Sequence, residues 1–475
     1  MEYLSSFTRR DFLRGAGALG ITGIALWSGG CEACKTQIEN RPTRRNIANL
    51  PANDPIIQTY KDAVTAMQNL PNGDARHWTK QAEIHLNFCP HGNWWFLPWH
   101  RAYLFYFERI CRQLTGNKDF ALPYWNWTTS PSMPAPFWGN GNPLFDSTRS
   151  ITSSDTADPS WVSAPVIEGI LNETNFFLFA SNAAVGQRDP AGSGMLEQTP
   201  HNNIHGWVCG DMCAYMSPLD PVFWCHHNML DCLWVDWNIN RGNANTNDAN
   251  WSNHQFTEFC DENGAPVTVN VITTVLYPIF SYQFEACGPN AMTSKIAADK
   301  QALEKFLRAG APATLEFTKR FELRQSVTTE ALKPTAASIK VERDAFKTVL
   351  ETGGPKDKVV LTLDQVDIPD KRDFFVRVFV NKPDASPQTP IEDPHYAGSF
   401  GFFSDESMKG HEAAGGMPKA GFLVDVTPTL RRLHQAGSLN GEQIDVNLVT
   451  VPYSRREASG QRVTLGRLEL GTARF

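Results

Sequence analysis

No stretch of this chain after residue 30 is long and apolar enough to span a bilayer, and no internal repeat or low-complexity run breaks it up. There is no excess of basic charge either. A net charge of −7 and a pI near 6.0 argue against nucleic acid or an anionic membrane surface as a partner. Ten cysteines are present, but neither of the histidine clusters described next reads as the closed, cysteine-rich shell of a structural zinc site. With 475 residues, 41% of them apolar, the chain is long enough for two or three domains with ordinary cores.

What the chain has is histidine in two dense groups. The stretch HLNFCPHGNWWFLPWHRAYLFYFE places His85, His91 and His100 within sixteen residues, together with Cys89 and an aromatic block. Pro90 and Gly92 flank His91, so a helix carrying His85 is expected to break before it, and RAYLFYFER is expected to form a buried helix that His100 opens. In the second group, His201 and His205 stand at i and i+4, on one face of a helix; His226 and His227 follow, with Asp231 four residues beyond His227. Two sets of three imidazoles suit a pair of metals in one pocket. All-imidazole ligation without thiolate or carboxylate favours copper over iron or manganese.

These residues resemble the type 3 copper proteins, the family of tyrosinases, catechol oxidases and haemocyanins. His91 to Glu108 resembles their first copper signature, and DPVFWCHHNMLD, Asp220 to Asp231, resembles the second. The resemblance implies two copper ions, one on His85, His91 and His100, the other on His201, His205 and His227. His226 then becomes a packing or supporting residue, and Asp231 fixes a ligand or a helix by hydrogen bonding. Cys89 stands two residues before His91, as in members whose cysteine is joined to that histidine by a thioether. Glu197, four residues before His201, and Asn202, directly after it, match the pair thought to hold a proton-accepting water. Ala214 falls where some relatives place a bulky gate, and alanine would leave that entrance open.

The implied chemistry is O2-dependent ortho-hydroxylation of monophenols and oxidation of o-diphenols to o-quinones. Catechol oxidation alone is the alternative, and an O2 carrier of haemocyanin type a more remote one. The implied partners are phenolic small molecules and O2. The implied fold is a mainly α catalytic domain, a four-helix bundle around the dicopper site, at 45–285. An all-β sandwich-like domain at 358–475 follows, where KVVLTLDQVDI, FFVRVFV, GFLVDVT, IDVNLVTV and RVTLGRLEL alternate as strands. This part resembles the C-terminal domain of plant polyphenol oxidases, down to HYAGSF at His395 to Phe400, and is expected to act as a lid that keeps the enzyme latent. Phe400, Phe402 and Phe403 are the candidate plugs. The polar segment 286–357 reads as a linker with the processing site for an activating protease.

Residues 1–33 are read as an address. Arg9-Arg10, a following Phe-Leu and a Gly/Ala-rich apolar run form a twin-arginine export signal, which places the protein in the periplasm or outside the cell. Such a compartment permits disulfides among Cys209, Cys213, Cys225 and Cys232, whose pairing spacing alone does not decide.

Overall fold

A computed structural model describes residues 40–289, 316–367, 369, 373–403, 419–439, 442–453 and 462–474. The export address and residues 290–315 of the expected linker lie outside the described residues. Those within Met1–Cys89, Leu97–Ser147 and Met216–Ala313 form one compact unit, and those within Pro90–Phe96, Thr148–Tyr215 and Thr314–Phe475 a second.

The helices that carry or support the histidines are α1 (Pro55–Gln68), α2 (Trp78–Phe88), α3 (Phe96–Thr115), α4 (Asn202–Val208) and α5 (Val222–Val235). In the first unit, Asp54 caps α1 by accepting the Ile56 N–H at 2.9 Å, and Pro55 occupies the first turn, where its missing N–H costs nothing. Ile57, Tyr60, Val64 and Met67 recur every three or four residues and are buried. Helix α2 stops at Phe88, ahead of Pro90, as expected. All fourteen residues of α5 are buried, the polar side chains of His226, His227, Asn228 and Asp231 included. One expectation fails: His100 does not open its helix, which begins at Phe96. Asn93 accepts the Trp95 N–H at 2.9 Å and so starts the turn earlier, and Pro98 is tolerated because it sits in that first turn.

A buried charge network ties α3 to α5. Arg44 reaches Glu108 at 2.9 Å, Asn228 at 2.7 Å and Asp231 at 3.1 Å. Asp231 also accepts from Arg101 and from the Tyr282 hydroxyl, both at 2.5 Å. The Arg44 and Arg101 guanidiniums lie 3.5 Å from the Tyr282 and Trp234 ring centres.

The second unit holds the β region, with strands β1 (Glu316–Leu323), β2 (Thr335–Lys340), β3 (Asp357–Asp367), β4 (Phe374–Val380), β5 (Tyr396–Phe400), β6 (Lys419–Asp425), β7 (Gln443–Pro452) and β8 (Thr464–Arg474). They form antiparallel sheets in the orders β5-β4-β7-β2 and β6-β3-β8-β1, with Val327–Thr328 also paired to β8. Ile339, Leu361, Val376, Phe400, Phe422, Leu448 and Leu468, drawn from both sheets, share one apolar core. Two expectations need correcting. Strands β1 and β2 lie inside the segment read as linker: TAASIK is small and half-exposed, and EFTKRFEL is charged, because both are outer strands of their sheets. The region is also not all-β. Lys347–Glu351 is helical, and so is α6 (Thr427–Gln435), whose Leu430 and Leu433 pack into the same core.

The segment bearing His201 and His205 is fastened to this β region. All seven residues of β4 are buried, so its outer face needs a cover, and Trp161 supplies part of it against Phe375 at 5.1 Å. Gln198 O accepts the Gly401 N–H at 2.9 Å, Thr199 Oγ1 donates to Ser399 O at 2.8 Å, and Gln198 Nε2 donates to Leu423 O at 2.7 Å. Farther along, the Tyr453 hydroxyl meets Asn203 at 2.8 Å. Lys358 Nζ lies between Glu173, at 3.1 Å, and Asp425, at 2.9 Å.

Candidate metal centre

In the first unit, His85 on α2, His100 on α3 and His227 on α5 are at most 4% exposed. The His100 and His227 rings stack with centres 4.0 Å apart and planes 8° off parallel. His85 sits 5.7 Å from His100 and 6.4 Å from His227, with Phe223 wedged edge-on against it at 5.1 Å. The ligand atoms of His85, Cys89 and His100 lie within 4.8 Å of one another. Cys89 is buried and unbridged, and its sulfur is 3.4 Å from His100 Nε2. His226 points its Nδ1 at the indole of Trp127, which donates to it at 3.3 Å. Asp231 touches Arg44, Arg101 and Tyr282 in the contacts described above, so it holds helices together.

In the second unit, His91 stands on the loop after Pro90. A single turn of π-helix, Glu197–His201, leads into α4 and brings the His201 and His205 rings to 4.5 Å; such wide turns recur at functional sites. His91 and His201 stack at 5.5 Å. Each helical histidine has one nitrogen engaged: His201 Nδ1 with Asn202 Oδ1 at 2.7 Å, and His205 Nδ1 with the Met212 carbonyl at 2.5 Å. A ring that donates from Nδ1 presents its Nε2 lone pair to a metal. Burial pushes His205 down to about 3, which keeps the ring neutral at ordinary pH.

Glu197 opens the π turn and is 1% exposed. Its oxygens accept the Gly92 N–H at 2.6 Å and meet the Ser181 hydroxyl at 2.5 Å. Burial lifts its carboxyl to about 8, against the pull of those two bonds. Through Gly92, whose φ of +67° is one glycine adopts freely, this side chain holds the loop next to His91. Asn202 uses Oδ1 on His201 and donates from Nδ2 to Gly401 O at 3.0 Å.

Glu197 and Asn202 line a cavity together with His91, Tyr215, Phe402 and Phe403. Phe403 is the ring over the histidines, 4.5 Å from both His91 and His205 and 5.5 Å from His201. The other two candidate plugs belong to the sandwich core, where Phe400 stacks on Phe422 at 4.3 Å and Phe402 packs beside them. Ala214 is not among the lining residues. Its neighbour Tyr215 is, edge-on to His91 at 5.1 Å and 5.3 Å from Phe403.

Histidines in two groups, on a helical core followed by a β region, mark a type 3 copper protein. Residues 60–178 and 140–240 match the common central domain of tyrosinase, and residues 313–472 match a domain of unknown function, DUF7868. The chain stands with the tyrosinases and polyphenol oxidases, copper oxidoreductases that use molecular oxygen. It is 28% identical to (+)-larreatricin hydroxylase of Larrea tridentata over 428 residues, 77% of this chain and 68% of that one. Against a tyrosinase from Hahella sp. (strain CCB-MM4) the identity is 24%, over 90% of this chain and 98% of the other. Its fold is that of latent apple tyrosinase, with a TM-score of 0.66 at 21% identity, over 91% and 97% of the two chains.

The donor set fits a binuclear copper cofactor: imidazoles suit copper, those of His201 and His205 are oriented through Nδ1, and no carboxylate has to be deprotonated to serve. Sequence reading missed Ser181, Tyr215 and the Met212 carbonyl. Only the last had a signal, the cysteines that bracket it.

Proposed function

We propose that the chain is a copper-dependent phenol oxidase of tyrosinase type, acting on monophenols and o-diphenols with O2. In this reading one copper is held by His85, His91 and His100, the other by His201, His205 and His227, within a four-helix bundle. Bound there, the pair supplies two-electron chemistry toward O2. The protein's own part is to stack the phenol against His91 and His201, exclude water with Phe96 and Tyr215, and take up the phenolic proton. Glu197 and Asn202 are assigned that last task, Glu197 after losing its own proton. Asp231 and His226 support the ligand helices. Ala214, beside Tyr215, is assigned a permissive place at the entrance.

The observation that carries this reading is the aromatic-walled cavity in which Glu197, Asn202 and His91 meet. Phe403 lies where a phenol ring would stack, which supports latency: substrate enters once that ring is displaced, by proteolysis near the β region or by a loosening agent. Oxygen uptake by copper-loaded protein on a monophenol and on its o-diphenol, before and after limited proteolysis, tests both parts. Uptake on both substrates, raised severalfold by cleavage, is the expected result; uptake on the diphenol alone makes the chain a catechol oxidase, and colour on oxygenation without turnover makes it an O2 carrier. We further propose export by the twin-arginine route and a Cys89–His91 thioether, seen by peptide mass spectrometry as a cross-linked peptide lacking two hydrogens. Among the described residues no helix is long and apolar enough to cross a membrane.

A further inference from the structure

The backbone at Cys209 has φ 48° and ψ −149°, a conformation in which a β-carbon is crowded and glycine is the usual occupant. Gly210 follows at φ 60°, and a β-carbon there would come within 2.3 Å of Thr148 Oγ1. The first of these positions is nonetheless a cysteine, and its side chain is used: Cys209 is bridged to Cys213.

The bridge closes a small loop around one hydrogen-bond acceptor. The Cys209 N–H ends α4 by donating to His205 O at 3.0 Å, and the Met212 N–H turns back to Cys209 O at 3.1 Å. The Asp211 N–H is pinned to Thr148 Oγ1 at 3.1 Å. The carbonyl presented by this loop is that of Met212, whose side chain is fully buried and whose oxygen is 2.5 Å from His205 Nδ1. The same loop runs on to Tyr215 in the cavity wall.

We infer that the Cys209–Cys213 disulfide is a positioning device for His205. By holding the Met212 carbonyl against Nδ1, it fixes the ring's tautomer and direction so that Nε2 faces the metal, and its reduction loosens that copper selectively. Reduction is a balanced exchange: an added dithiol breaks the S–S bond, passes its two hydrogens to the Cys209 and Cys213 sulfurs, and is itself oxidised to a cyclic disulfide. Both cysteines are half-buried, whereas Cys232 and Cys287, which form the other bridge, are at most 1% exposed. The inference rests on the assignment of His205 as a ligand.

The test is the variant Cys209→Gly/Cys213→Ser, which lacks the bridge but suits the backbone. Copper content is followed against increasing chelator in wild type and variant, with the electron paramagnetic resonance signal of isolated copper(II) and the copper-free Tm recorded alongside. Wild type is expected to hold two coppers; the variant is expected to keep its Tm, release one copper at roughly tenfold lower chelator and show the isolated-ion signal. Superimposable chelator curves overturn the inference and leave the ligand assignment standing, whereas wild type that never holds two coppers overturns the assignment itself. Should the variant not fold, copper-free wild type is treated with the dithiol, alkylated, freed of reagent and loaded with copper. Loss of one copper then supports the inference, and two coppers with an unchanged chelator curve overturn it.

Discussion

The histidines of α3 and α5 and those of the π turn and α4 are held by different means. On the first side, His100 and His227 stack between long, buried helices that are tied together by the charge network of Arg44, Arg101, Glu108 and Asp231. On the second, His201 and His205 lie on a short helix broken by a π turn, and their support comes from Ser399, Gly401 and Leu423 of the β region, some two hundred residues on, and from the Met212 loop. A metal site can thus be made rigid by burying charge between helices, or by using a second fold as a template. The first way fails abruptly when a partner is removed, and the second can be tuned.

The largest effect expected from this contrast is at adjacent residues of α5. His227→Ala removes one copper and nearly all turnover, whereas His226→Ala, which removes the acceptor of the Trp127 indole N–H, costs far less; copper analysis and oxygen uptake decide, and a reversal of the two phenotypes would move the ligand assignment by one residue. Next comes Asp231→Ala, which leaves Arg44 and Arg101 buried without their shared carboxylate. The expected destabilisation is about 3 to 5 kcal/mol, read as a fall in Tm of roughly 10 °C, and a change of one or two degrees would show the helices to be held by packing alone.

Smaller effects are expected on the tunable side. Phe403→Ala opens the cavity over His91 and His205 and should raise catechol turnover severalfold at unchanged copper content; equal rates would assign latency elsewhere. Smallest is the pH response of Glu197. Between about 4.5, the ordinary value for its carboxyl, and about 8 the folded chain keeps a proton there that the unfolded chain has released. Its contribution to stability is full below that window and is lost as pH rises through it. In copper-free protein Glu197→Gln should flatten the fall of Tm across this range, leaving a residual slope from Glu173, which burial raises to about 7. The same variant should depress monophenol turnover more than diphenol turnover, since only hydroxylation of the monophenol needs early removal of the phenolic proton; equal losses would confine Glu197 to holding the His91 loop through Gly92.

The two sides also differ in how far they could be read in advance. The histidine groups, the break after α2 and the strands from Asp357 onward follow from local pattern: spacing of His, a proline, alternation of β-branched residues. What local pattern reports is which face of an element is apolar, so the outer strands β1 and β2, only half apolar, carry little strand signal, and α3 begins one turn ahead of His100. Arg44 has no signature in sequence at all, because the side chains it hydrogen-bonds lie between 64 and 187 residues away.

By itself, then, the sequence determined the metal class and the elements that present the histidines, because imidazole count, spacing and helix-breaking residues are local properties. Only the tertiary structure decided which phenylalanine of the Phe400–Phe403 stretch covers those histidines, that Tyr215 walls the cavity beside Ala214, and that Glu197 is a buried acid tied to Gly92 and Ser181. Those outcomes depend on which segments distant in the chain share a hydrogen bond or exclude water together, and no window of neighbouring residues carries that information.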